Sequence, residues 1–185
     1  MTNRRERPAR RIRAGLVCLT AACLLAAAQS VVGEVAVGQP APAFTLEDPA
    51  GRPISFPAAA GGRPAIVFFW ATWCPYCRAL TPLIAQLRED YRARGVRVFA
   101  LNVWEDGDPV AYLRERDADF ELLLSADEVA DAWAVSGTPG LFVVAGDGRI
   151  VYRRQSSDGR DPRAAAAFWA ERTRAALAEL LAAKD

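Results

Sequence analysis

Residues 65–87 read AIVFFWATWCPYCRALTPLIAQL, and the pattern of this stretch changes once, at the cysteines. Ala65 to Trp70 is an unbroken apolar run, mostly β-branched and aromatic, which predicts a central strand buried on both faces. Beyond the cysteines Leu80, Leu83, Ile84 and Leu87, followed by Tyr91, recur at helical spacing until Gly95 stops the pattern. The segment Trp73-Cys74-Pro75-Tyr76-Cys77 therefore sits where a buried strand turns into a helix. With Cys74 at the N-cap, Pro75 falls at N1, where its missing N–H costs nothing and its fixed φ suits the helix. Cys77 is then N3. Its backbone N–H can point at the Cys74 sulfur, and the helix dipole adds positive potential, so the Cys74 thiolate is favoured. Cys74 is predicted to attack, and Cys77, one turn on and less exposed, to resolve the mixed disulfide.

Outward from this junction the chain alternates. Towards the N-terminus, Ala43 to Leu46 and Ile54 to Phe56 flank a turn at Asp48-Pro49-Ala50-Gly51 and predict a hairpin. Towards the C-terminus a second buried strand is expected over Val96 to Val103, and a helix opens at Asp108-Pro109 and runs to Arg116. A strand over Phe120 to Leu124 and a helix over Asp127 to Ala134 come next. Thr138-Pro139-Gly140 precedes Leu141 to Val144, the turn Gly146-Asp147-Gly148, and Arg149 to Arg154, a second hairpin. Asp161-Pro162 caps a final alanine-rich helix reaching Lys184. The order implies one α/β domain over residues 33–185, a mixed sheet with helices on both faces.

Composition narrows the chemistry. The 185 residues are 52% apolar and 24% charged, as in a globular protein with a proper core. Arg4, Arg5, Arg7, Arg10, Arg11 and Arg13 face one acid, Glu6, before residue 29, which leaves about −4 for the remainder of a chain of net charge +1. The folded part thus lacks the basic footprint of nucleic-acid binding. An arginine-rich start, the apolar run Ala14 to Ala28 and the small residues Ala26-Ala27-Ala28 have the layout of a secretory signal peptide. The run falls short of the roughly 20 residues of a membrane-spanning helix, although Gln29 to Val32 would bring it near that length. Residues 1–32 therefore read as a signal peptide or an N-terminal membrane anchor, and in both cases the domain after Val32 is expected outside the cytoplasm.

Of the four cysteines, Cys18 and Cys23 lie inside that apolar run, so Cys74 and Cys77 stand alone in the domain. A two-residue gap closes too small a loop to staple a fold. A closed zinc site needs four ligands, and the chain has no histidine. Covalent haem attachment asks for histidine after the second cysteine, where Arg78 stands. Neither a metal nor a cofactor is expected, and redox chemistry of the pair itself remains.

Phe69 to Arg78, FWATWCPYCR, resembles the active-site segment of the thioredoxin superfamily, in particular its periplasmic or membrane-anchored TlpA, ResA and CcmG-like branch. The N-terminal hairpin, Pro82 five residues after Cys77, and Thr138-Pro139 before a β-hairpin match that branch in order, and the αβ unit between the second strand and Pro139 is its insertion. The resemblance implies a thioredoxin-like fold and a cis-proline at Pro139 lying against the cysteines. It gives Thr138 the task of offering backbone hydrogen bonds to a partner segment, with Trp73, Pro75 and Tyr76 supporting the site. Three positions depart from the pattern. Phe68 replaces a buried aspartate, Leu80 replaces a glutamate, and Gly140 stands where threonine is more common. Glu105 in Trp104-Glu105-Asp106 is left as the one candidate acid near the site, with an ordinary surface carboxylate as its alternative. Trp133 reads as core and Trp70 and Trp73 as scaffold and rim.

The function implied is thiol:disulfide exchange with extracytoplasmic protein cysteines, as a reductant served by a redox partner protein, for example in cytochrome c maturation. A thiol peroxidase is the alternative, but Val67 and Ala71 occupy the proline and threonine places of a Pro-x-x-x-Thr-x-x-Cys segment. A redox-inactive binding module is the third reading, and it would leave the cysteine pair idle.

Overall fold

The computed structural model describes Met1 and residues 35–154 and 156–183. Apart from Met1, the proposed signal or anchor segment lies outside the described residues. Among the described residues no helix is long and apolar enough to cross a membrane.

The main elements, in chain order, are β1 (Phe44–Glu47), β2 (Pro53–Phe56), β3 (Ala65–Trp70), α1 (Pro75–Asp90), β4 (Arg97–Asn102), α2 (Pro109–Arg114), β5 (Glu121–Leu123), α3 (Asp127–Ala132), β6 (Gly140–Val144), β7 (Ile150–Arg153) and α4 (Pro162–Ala182). The sheet order is β5-β4-β3-β6-β7, with β3, β4 and β5 parallel and β6 and β7 antiparallel additions. β1 and β2 form a separate hairpin, joined to the edge of the sheet where the Leu124 N–H donates to the Glu47 carbonyl at 3.1 Å. This is a thioredoxin-like architecture, as the sequence implied.

The central place of β3 follows from its composition. All six of its residues are buried, and successive side chains point to opposite faces. Ile66, Phe68 and Trp70 enter one apolar cluster with α1, α4 and the α2 residues Tyr112 and Leu113. Ala65, Val67 and Phe69 enter a second cluster with the hairpin residues Phe44 and Phe56 and with Trp133. The sheet is therefore covered on both faces, and the end of β3 has one direction in which to release the chain, upwards into the cysteine segment.

Boundaries differ from expectation at a few ends. The fifth strand keeps only Glu121 to Leu123, because Leu124 turns to bond the hairpin. The α3 helix stops at Ala132, and Ala134 adopts a left-handed φ of 51°. Pro82 lies inside α1, which continues through it to Asp90. A second cis X-Pro bond, Phe56-Pro57, accompanies the cis Thr138-Pro139 bond.

Trp133 fixes the hairpin to the sheet. Its fully buried ring lies 4.9 Å from Phe142, 5.6 Å from Phe69, 6.0 Å from Phe56 and 6.2 Å from Phe44. Trp133→Ala should lower the unfolding free energy by about 3 to 5 kcal/mol, the usual cost of emptying an aromatic core site, read from urea unfolding of the whole chain. A loss below about 1 kcal/mol would show that the hairpin is held by other contacts.

Candidate active site

Cys74 is the N-cap of α1, with φ −73° and ψ 115°, and Pro75 occupies the first helical position. The Cys77 N–H donates to the Cys74 sulfur at 3.1 Å. Both side chains are buried and free, Cys74 being 2% exposed and Cys77 fully buried. The Cys74 thiol is lowered to about 6, first by its hydrogen bond with the Cys77 side chain, which outweighs burial, and then by the Thr138 side chain and the Cys77 and Tyr76 N–H groups. Burial pushes the Cys77 thiol far up, reinforced by the hydrogen bond and negative charge of Cys74. One sulfur is thus an anion near neutral pH and the other a protonated thiol behind it.

The segment before β6 closes the site. Thr138 stands at the cis bond to buried Pro139, and its side chain acts to lower both thiols. Gly140 follows because there is no room for more. A Cβ there would lie 2.9 Å from Val135 Cγ1 and 3.0 Å from Phe69 Cβ, so the departure from threonine at this position is a packing requirement. On the other side, Tyr76 donates its hydroxyl to the Arg160 carbonyl at 3.1 Å and its ring lies 5.9 Å from Trp169. Trp73 is 43% exposed and forms the rim. Its indole N–H donates to the Trp104 carbonyl at 2.7 Å, and the Trp104 N–H donates to Asp127 Oδ1 at 2.9 Å. Trp104 is itself exposed and left-handed, with φ 48°.

Glu105 is close to this group but faces the chain rather than the sulfurs. Its carboxylate accepts from Thr72 N at 3.0 Å, Thr72 Oγ1 at 2.5 Å, Asn102 Nδ2 at 2.6 Å, Asp106 N at 3.0 Å and Gly107 N at 2.9 Å. Burial raises its pKa, but the hydrogen bonds from Thr72 and Asn102 outweigh that and hold it below the ordinary glutamate range. A carboxylate so committed ties the turn before Cys74 to the end of β4, and it is poorly suited to carrying a proton. Gly107 belongs to the same arrangement, since a Cβ there would lie 2.6 Å from Thr72 Oγ1.

Sequence reading assembled Trp73, Cys74, Pro75, Tyr76, Cys77, Thr138, Pro139 and Glu105, and the structure brings all of them to one end of the sheet. It missed Thr72, Asn102, Trp104, Asp127 and Trp169, whose contacts join segments far apart in sequence. Among the described residues no group of histidine, cysteine and carboxylate side chains could hold a metal ion.

The Glu105 clamp has a pH signature. Its folded pKa is depressed, so its stabilisation is complete above the unfolded value of about 4.3 and is lost as pH falls through the folded value. Glu105→Gln should cost about 1 kcal/mol near neutral pH, discounted for partial exposure, and the gap to the wild type should close below about pH 4 in acid unfolding curves. A gap that is constant with pH would mean that the charge of Glu105 does not hold the turn.

Comparison with known proteins bears on the family and the fold. Residues 37–153 match the model of the AhpC/TSA family. Thiol-disulfide oxidoreductase ResA of Bacillus subtilis (strain 168) is 31% identical over 119 residues, covering 63% of this chain and 66% of that protein. Thiol:disulfide interchange protein DsbE of Escherichia coli (strain K12) is 34% identical over 122 residues, covering 63% and 64%. The match spans just under two thirds of the length of either relative. A crystal structure of a thioredoxin-family thiol:disulfide interchange protein from Chlorobium tepidum TLS superposes with a TM-score of 0.62 at 23% identity, over 77% of this chain and 96% of the other, a likeness of fold. With the family model spanning hairpin, cysteine segment, insertion and second hairpin, the chain belongs to the AhpC/TSA family of thioredoxin-like proteins.

Proposed function

We propose that the chain is a thiol:disulfide oxidoreductase that reduces disulfides in proteins outside the cytoplasm, with Cys74 as nucleophile and Cys77 as resolving thiol. The observation that carries this reading is the split between the two sulfurs, a helix-capping Cys74 lowered to about 6 in front of a buried Cys77 held protonated. The similarity to ResA and DsbE supports it.

The Cys74 thiolate attacks one sulfur of a partner disulfide, forming a mixed disulfide and releasing one partner thiolate. Two of the causes that kept Cys77 protonated, the hydrogen bond and the negative charge of Cys74, then vanish because that sulfur is no longer anionic. Cys77 gives its proton to the departing thiolate or to water and attacks Cys74. A Cys74–Cys77 disulfide forms and the second partner thiolate leaves. Half-buried Thr138 with buried Pro139, and the Trp73 rim, receive the partner segment, with Thr138 pairing its backbone as an added strand.

The resemblance to the TlpA, ResA and CcmG-like branch is what favours a reductant. Residues 1–32 act in this reading as export signal or membrane anchor, placing the domain in the periplasm or an equivalent compartment. A second redox protein must return the pair to the dithiol, and apocytochrome c cysteines are one substrate class that fits. The peroxidase reading is disfavoured by Val67 and Ala71, and an idle binding module by the depressed Cys74 thiol.

Reduced whole chain should reduce a standard disulfide-bonded protein catalytically, Cys77→Ser should accumulate mixed disulfides through Cys74, and Cys74→Ser should abolish exchange. Faster alkylation of Cys77 than of Cys74 at mildly acidic pH, or no disulfide reduction at all, would overturn the assignment.

A further inference from the structure

The layer beneath the two sulfurs is apolar, formed by Phe68, Leu80, Leu141 and Trp169 in one buried cluster with Cys74 and Cys77. A cation borders this layer at Trp169. Arg154 follows β7 and donates its backbone N–H to the Leu141 carbonyl at 2.8 Å, two residues from Pro139. Its guanidinium carbon lies 4.8 Å from the centre of the Trp169 ring, and Tyr76, between the two cysteines, packs on the same ring with centres 5.9 Å apart. Trp169 is 1% exposed, so the guanidinium rests on a dry aromatic shelf.

We propose that Arg154 is a positioning residue for the thiol chemistry, its guanidinium on Trp169 holding positive charge beneath the cysteine pair, stabilising the Cys74 thiolate and setting the dithiol–disulfide balance. Arginine stays charged under any working condition, and a cation in a low-dielectric layer favours a nearby anion. Burial lowers the Arg154 pKa, and the Cys74 thiolate is among the charges that oppose that loss.

The other charged and titratable groups near the pair are held as follows. Burial pushes Tyr152 on β7 up to about 12, so it is neutral when the thiols react. Arg78 on α1 donates to the Thr72 carbonyl, Arg153 to the Val35 and Ala134 carbonyls, and Arg160 to the Ser157 carbonyl. Glu105 is bound to the turn at Thr72. Thr138 brings a neutral hydroxyl.

The proposal rests on Cys74 being the exchanging thiolate, and its test separates the two. In the whole chain, Arg154→Met removes the charge and keeps an apolar stem on Trp169, while Arg154→Lys keeps the charge. Thiolate absorbance against pH should show the Cys74 midpoint about half a unit higher in Arg154→Met. The dithiol–disulfide equilibrium against glutathione near neutral pH should move about threefold towards the disulfide, since the stabilised form has been lost. Arg154→Lys should restore most of both shifts. Should Arg154→Met fail to fold, Arg154→Gln gives the same reading. An unchanged midpoint in a folded uncharged variant, or equal shifts for methionine and lysine, would overturn the role of Arg154. A normal midpoint shift in a protein without exchange activity would instead overturn the proposed function and leave the electrostatic role standing.

Discussion

The hydrogen bond from the Cys77 N–H to the Cys74 sulfur, 3.1 Å long at the first turn of α1, is the contact around which the rest of the domain is arranged. It exists because Cys74 leaves the helix as an extended N-cap while Cys77 is already the third helical residue. Pro75 makes that exit cheap, since the N–H it lacks would have had no partner inside the helix. The buried strand β3 delivers Cys74 to this point, and the two apolar clusters on either side of β3 prevent the strand from slipping. A one-residue slip would send Phe68 and Trp70 to the wrong face. The chemistry of the sulfur is therefore tied to the packing of the whole sheet.

The distribution of charge around the pair reflects where each charge can be satisfied. A carboxylate under the sulfurs would oppose a thiolate, and Phe68 and Leu80 are fully buried there instead. The nearby carboxylate, Glu105, is displaced to the outer side, where five donors hold it and its negative charge serves the turn at Thr72. Arg154 rests on Trp169, in the cluster that also holds the two cysteines. A carboxylate committed to the turn and a cation beside the apolar layer together favour a thiolate at Cys74.

Much of the fold was legible in the sequence because its signals are local. The all-apolar run of β3, the helical spacing of Leu80 to Leu87, the Asp-Pro starts of α2 and α4 and the hairpin turns each declare themselves within a few residues, and the structure keeps them to within one or two residues at most ends. The cysteine pair was legible for the same reason, as an N-cap and N3 spacing. What escaped was long-range. Nothing in Thr72 or Asn102 announces that Glu105 will bind them across more than one element, although Gly107 is a trace of that close approach. Trp104 looked like part of a loop, and its left-handed backbone is imposed by Asp127 at the start of α3 and by Trp73. The place of Arg154 depends on α4 folding back over α1, which local pattern does not encode.

Two sulfurs three residues apart have opposite proton affinities, and the proposed chemistry depends on that difference. An NMR titration of the cysteine Cβ resonances in the reduced whole chain resolves each thiol by itself. Cys74 should titrate near 6 while Cys77 stays protonated well into the alkaline range. A Cys74 midpoint at or above the free-thiol value of about 8.5, or two thiols titrating together, would contradict it.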